Sequence, residues 1–155
     1  MPDMQTTIFS PVGPLRLTVT DDGAVSRLEF GAGERSNDPR FEPAVTQLHE
    51  YFAGERTTFD LPLEPDGGST FERRVWAELM QIPYGETASY GEIAARIGHP
   101  GKARAVGRAN GRNPIAIVCP CHRVIGSDGS LVGYGGGLEN KRTLLDLEAG
   151  AFTLV

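Results

Sequence analysis

Cys121 and His122 stand side by side in a chain of 155 residues that has one other cysteine, Cys119, and two other histidines, His49 and His99. A thiol becomes a nucleophile when a neighbour stabilises or removes its proton, and an imidazole can do this. A sequence-adjacent imidazole points elsewhere in most backbone conformations, so a bridging water is the easier route to the thiol. A carboxylate from another part of the chain would then orient the ring, as in catalytic triads. The same pair also reads as a buried structural cysteine beside a surface histidine. Downstream, Gly133-Tyr134-Gly135-Gly136-Gly137 can bring backbone close to a planar ligand. A four-cysteine zinc centre is impossible by count and a mixed Cys/His centre is a poor fit, so neither a metal nor a cofactor is expected. Cys119-Pro120-Cys121 is too tight to act as a useful staple, which suits a reducing, cytoplasmic setting.

A second kind of chemistry lies just upstream. Arg104, Arg108 and Arg112 recur every four residues, and most of the rest is small: Ala103, Ala105, Val106, Gly107, Ala109 and Gly111. Two glycines inside a helix cost roughly 1 kcal/mol each relative to alanine, so this helix needs close approach to something. That neighbour is either another helix or a nucleic-acid groove, and the arginines favour the groove. The net charge is −5, which by itself speaks against a polyanion, but the distribution is uneven. Residues 1–66 hold five Lys/Arg against twelve Asp/Glu, whereas Ile93 to Ser127 carry Arg96, Lys102, Arg104, Arg108, Arg112 and Arg123 with no acidic residue. A basic stripe beside an acidic half suggests a polyanion partner; a solvated face is the plainer alternative.

The elements that must hold these residues follow from periodicity and punctuation. Hydrophobic residues at 39% and charged residues at 23% describe a globular chain, and no apolar run approaches the ~20 residues of a membrane span. Met1-Pro2-Asp3-Met4 lacks the pattern of a signal peptide. Leu15, Leu17 and Val19 alternate with polar residues as in a strand, and Asp22-Gly23 turns the chain into a returning strand from Ala24 to Phe30. Thr6–Ser10 and Thr58–Leu63 read as further strands, and Val45, Leu48 and Phe52 as a helix closed by Gly54. Glu64-Pro65-Asp66-Gly67-Gly68 is the best boundary in the chain.

Beyond that boundary, Ser69/Glu72 and Ser89/Glu92 are capping boxes. The first opens a helix with Phe71, Val75, Trp76, Leu79 and Met80 in the core. The second opens a helix that Gly98-His99-Pro100-Gly101 breaks. Another helix runs from Lys102 until Asn113-Pro114 stops it. The pair matches a helix-turn-helix, or a plain helical hairpin. Lys141–Glu148 is a final amphipathic helix with Leu144, Leu145 and Leu147 inward. The expected class is α/β (α+β). A small N-terminal α/β domain with antiparallel strands (1–66) precedes a mainly helical C-terminal domain (67–155) with the helix-turn-helix.

Pro120-Cys121-His122-Arg123-Val124 resembles the active-site signature of the O6-alkylguanine-DNA alkyltransferases, the methylated-DNA–protein-cysteine methyltransferases. Ile82–Glu86, Ser89–Ala94, Arg104–Gly107, Gly111–Pro114, Tyr134–Leu138 and Leu144–Glu148 resemble further segments of that family, in order and spacing, over roughly residues 69–149. The resemblance implies that Cys121 takes an alkyl group irreversibly from O6 of guanine, less readily from O4 of thymine, in duplex DNA entered by the minor groove. His122 would take the thiol proton through water and Glu148 would orient His122. Tyr90 would assist protonation of the leaving guanine, and Asn113 would tie the helix-turn-helix to the cysteine turn. Arg104 would fill the gap left by the flipped nucleotide. Lys102, Ala103, Ala105, Gly107 and Arg108 would also meet DNA, while Val132, Tyr134, Gly135, Gly136 and Gly137 would enclose the base. No membrane is implied, and a monomer is expected.

Three positions depart from the family pattern. Gly135 stands where many relatives have Ser, Asn110 where some place a larger apolar residue, which makes a less wedge-like DNA contact, and Cys119 where most have an aliphatic residue. Two other readings are a DNA-binding module that senses alkyl lesions without repairing them, against which Cys121 counts, and a cysteine hydrolase, which leaves the arginine-studded helix unexplained.

Overall fold

The computed structural model describes residues 3–150. Strands β1 (Met4–Ser10), β2 (Gly13–Val19) and β3 (Val25–Phe30) form an antiparallel sheet in chain order. In β2 the alternating Leu15, Leu17 and Val19 are completely buried, as the period-two pattern requires. Helix α1 (Glu42–Phe52) buries Ala44, Leu48, Tyr51 and Phe52. Thr58–Leu63 is not a strand. Val25 donates to the Pro62 carbonyl at 2.9 Å and Glu64 donates to the Val25 carbonyl at 2.8 Å, a single bridge beside β3. Pro62 has no N–H with which to extend the ladder.

Both capping boxes form. Ser69 caps α2 (Thr70–Leu79) and Ser89 caps α3 (Tyr90–Arg96), each with its reciprocal glutamate bond. Val75, Trp76 and Leu79 of α2 are buried, and the Trp76 indole donates to the Ala109 carbonyl at 2.8 Å, clamping α2 to α4 (Ala103–Gly111). Phe71 is only half-buried. Met80, also expected in the core, is exposed: the helix ends at Leu79, and Met80 lies on the rim of a shallow apolar groove beside Trp76 and Leu63. Helices α3 and α4, joined by the Gly98–Gly101 turn, are the helix-turn-helix.

Two elements escaped the sequence reading. Residues Ala88–Ser89 (β4) pair in parallel with Val124–Ile125 (β5). This short ladder sets Tyr90, the residue after Ser89, beside Cys121, three residues before Val124. Helix α5 (Leu138–Glu148) starts three residues earlier than expected; Leu144 and Leu147 are buried as expected, but Leu145 only partly so. The sheet meets the helical part at β3, where Leu28 donates to the Pro114 carbonyl at 2.8 Å and Ala116 donates to the Leu28 carbonyl at 3.0 Å. A continuous apolar core runs through both parts.

Candidate active site

The chain from α4 to Cys121 is held in an unusual path. Asn113 accepts from the Ile115 N–H at 3.0 Å and donates to the Cys119 carbonyl at 2.9 Å, so one amide closes the loop that leads to the cysteine. Ile117, completely buried, has φ +71, and Val118 donates back to the Ala116 carbonyl at 2.7 Å. That is a γ-turn on a β-branched residue, a strained conformation costing of order 1–3 kcal/mol. Pro120 makes the relaxed inverse turn (φ −82, ψ 63), with Cys121 donating to the Cys119 carbonyl at 2.8 Å. Cys121–Arg123 then form one 3-10 turn, all three side chains inward.

His122 is completely buried, not a surface residue. Its Nε2 lies 2.7 Å from Glu148 Oε2. Glu148 also receives Arg123 Nε at 2.7 Å on Oε1, and Arg123 Nη2 at 3.0 Å and the Tyr51 hydroxyl at 2.6 Å on Oε2. Burial opposes the Glu148 charge, but the hydrogen bonds from His122 and Arg123 outweigh it and bring its pKa down to about 2. An ionised Glu148 requires Nε2 of His122 to carry the proton it donates. Burial, only partly offset by Glu148, lowers the imidazole's own pKa, so the ring is neutral at rest. Its Nδ1 is therefore a bare acceptor, and it is buried with no hydrogen-bond partner among the described residues. Such a nitrogen can accept a proton while the ring's other nitrogen is held by Glu148.

Burial likewise pushes the Cys121 thiol up, with Asn113, Lys141 and Tyr134 partly counteracting it. The resting group is a neutral thiol, which would have to lose its proton to act as a nucleophile. Lys141, missed by the sequence reading, is fully buried, and its Nζ donates to the carbonyls of Val132 at 3.0 Å and Gly133 at 3.3 Å. The Tyr90 hydroxyl donates to the same Val132 carbonyl at 3.0 Å. Val132 is thus an anchoring point on the loop. Its side chain is exposed, and neither it nor Gly137, which caps α5, lines the cavity as expected.

The cavity has a volume of about 370 Å³ and holds Cys121 at its wall, between Tyr90, Asn113 and Tyr134–Gly136. Gly107 and Gly111 of α4 form part of its rim. Arg16, Leu28, Glu29 and Phe30, from the sheet, complete it. No signal in the sequence announced these four. They reach the site only because β3 docks on Pro114–Ala116.

Arg104 and Arg108 are exposed on α4 and Lys102 precedes it, also exposed; among the described residues none of the three has an ion-pair partner. The rest of the expected stripe is weaker. Arg123 is buried against Glu148, Arg112 pairs with Glu72 at 3.2 Å, and Arg96 pairs with Glu92 at 3.7 Å. Asn110 does not belong to the outer face: it is buried near the end of α4 and donates to the Cys121 carbonyl at 3.3 Å. Cys119 is buried and its thiol meets the Trp76 carbonyl at 3.6 Å, away from the relay.

Residues 70–150 match the family described as 6-O-methylguanine DNA methyltransferase, DNA binding domain, and residues 4–65 match 6-O-methylguanine DNA methyltransferase, ribonuclease-like domain. The chain is 54% identical over 151 residues to the methylated-DNA–protein-cysteine methyltransferase of Mycobacterium tuberculosis, covering 92% of this chain and 90% of that protein. It is 48% identical over 148 residues to the protein of that name from Methanosarcina acetivorans, covering 90% and 94%. The solved structure of Mycobacterium tuberculosis OGT in complex with DNA is similar at TM-score 0.86 and 52% identity, over 96% of this chain and 94% of that one.

Proposed function

Since the chain belongs to the 6-O-methylguanine DNA methyltransferase family and is a DNA-repair alkyltransferase, we propose that it moves the alkyl group of an O6-alkylated guanine onto Cys121, once and irreversibly. The observation that carries this reading is the buried, unpartnered Nδ1 of a neutral His122 whose other nitrogen is fixed by Glu148.

Cys121 Sγ attacks the alkyl carbon. Its proton passes through a water to His122 Nδ1, and Glu148 stabilises the imidazolium. The carbon–oxygen bond breaks, and Tyr90 releases the Val132 carbonyl to supply a proton to the departing guanine. A resting thiol kept neutral by burial is protected from oxidation and from stray alkyl donors, and the relay acts only when an electrophilic carbon is in place. Nothing in the relay hydrolyses a thioether, so the protein reacts once.

The target atom is reached from the minor groove by flipping the nucleotide. Arg104 holds the vacated position, Lys102 and Arg108 meet phosphates, and the small faces of Ala103, Ala105 and Gly107 allow close approach. Tyr134, Gly135 and Gly136 enclose the base, and Lys141 fixes their loop through Val132 and Gly133. With Gly135 in place of a hydroxyl-bearing residue, only its backbone N–H is offered to O6. The boundary near residue 66, a monomeric state and a cytoplasmic location belong to this reading.

The assignment of the acceptor is tested by separating the cysteines. Cys121→Ser abolishes transfer while still binding lesion DNA, whereas Cys119→Ala keeps most activity. A methyl group found on Cys119 by peptide mapping would overturn it.

A further inference from the structure

Phe30 closes β3, and its ring lies on the wall of the cavity that holds Cys121. It packs edge-on to Tyr134, with ring centroids 5.6 Å apart and planes at 76°. A Cβ on Gly136 would lie 2.5 Å from this ring, so the loop opposite the cysteine is shaped to the space Phe30 fills. Two residues back on the same strand face, Leu28 is fixed to the Pro114–Ala116 backbone by two hydrogen bonds. Phe30 is therefore held in place relative to Cys121 by main-chain bonds. Ala116, the neighbouring residue of that wall, contributes only a methyl group.

A volume of about 370 Å³ exceeds the needs of a methyl group beside a base, with room for on the order of ten or more waters. We propose that Phe30 is a specificity-determining residue: its ring favours bulky, aromatic alkyl groups on guanine O6 over methyl. This rests on the alkyltransferase reading. With a benzylated guanine, Cys121 Sγ bonds the benzylic carbon, the carbon–O6 bond breaks, the thiol proton goes to His122, and guanine leaves with a proton from Tyr90. Phe30 takes no part in these bond changes. It lends an apolar surface and a ring edge to the phenyl group, the offset or edge-on contact that aromatic pairs prefer.

The test compares wild type, Phe30→Ala and Phe30→Leu in single-turnover transfer from oligonucleotides carrying O6-methylguanine or O6-benzylguanine, with thermal melts of each protein. The ratio of benzyl to methyl rate should fall about tenfold in Phe30→Ala and less in Phe30→Leu, which keeps apolar volume. Methyl transfer should fall by a clearly smaller factor than benzyl transfer in both, and an unchanged melting temperature separates loss of grip from loss of fold. An unchanged or increased ratio would overturn the proposal, as would equal losses on both substrates in a protein that melts normally. Failure of the wild-type protein to transfer methyl would instead contradict the alkyltransferase reading.

Discussion

Glu148 meets three side chains from two distant parts of the chain: His122 and Arg123, and Tyr51. Its loss therefore has two separable consequences. Glu148→Gln should slow transfer at least about tenfold, or ~1.4 kcal/mol in barrier, because the imidazolium loses its counter-charge. It should also lower the melting temperature, since a buried Arg123 is left without its partner charge, a defect of about 3–5 kcal/mol. A variant that melts lower yet reacts at the wild-type rate would leave Glu148 a purely structural anchor. The pH dependence follows from the same network. His122 has a folded pKa below its ordinary value, so it is protonated, and useless as an acceptor, only under acid; the acid limb of the rate lies below about pH 6.5. Both His122 and Glu148 bind protons more readily in the unfolded chain. Stability should thus decline as pH falls below about 6.5, and again between about 4 and the folded Glu148 value of about 2. His122→Ala should cost more than Glu148→Gln, and its loss should shrink only well above pH 8.5, because burial raises the thiol it would serve. Stopped reactions from pH 5 to 9.5 read the rates, and melts of each protein from about pH 2 to 8 read the stability. Cys121, His122, Asn113 and Glu148 were legible in the sequence through their segments' resemblance. Tyr51, 97 residues from Glu148, and the inward turn of Lys141 were not.

The helices could be read because their ends and faces are local properties: Ser69 and Ser89 cap through bonds three residues away. The errors occurred where an element depends on a distant partner. Thr58–Leu63 has a strand's composition, but among the described residues it makes one bridge, Val25 to Leu63, and Pro62 has no N–H to extend it. The β4–β5 ladder is two residues long and has no periodicity to detect, yet it brings Tyr90 to Cys121. In α4, the two glycines argued for close approach from outside. A Cβ on Gly107 would meet only the Tyr90 ring, at an ordinary 3.8 Å, so nothing within the protein demands glycine there. Gly107→Ala should accordingly stabilise the free protein by up to about 1 kcal/mol while weakening duplex binding and duplex repair. Repair of free O6-benzylguanine should change little. A substitution that destabilises the free protein would show that Gly107 serves packing and not DNA.

At the scale of the whole molecule, a chain of net charge −5 has to approach a polyanion. Of the six cations between Ile93 and Ser127, Arg123 is buried and Arg96 and Arg112 are paired, which leaves Lys102, Arg104 and Arg108, so the logarithm of affinity should fall with the logarithm of salt at a slope of about −3. Arg104→Ala should reduce that slope by about one and impair duplex repair more than reaction with free base; equal losses on both would make Arg104 structural. The composition shift along the chain was visible in the sequence, but which of its charges face outward was decided by tertiary pairing. The sheet's part in the site was equally hidden, because Arg16, Leu28, Glu29 and Phe30 reach the cavity through docking of β3 on the cysteine loop. In the proposed mechanism, sheet, helix-turn-helix and relay converge on one event, alkylation of Cys121. The direct measurement is the intact mass of the protein after incubation with a large excess of duplex oligonucleotide carrying O6-methylguanine. One methyl should replace one hydrogen per chain, on Cys121, and demethylation of the DNA should stop at one equivalent. An unmodified protein, or repair that continues past one equivalent, would contradict the account.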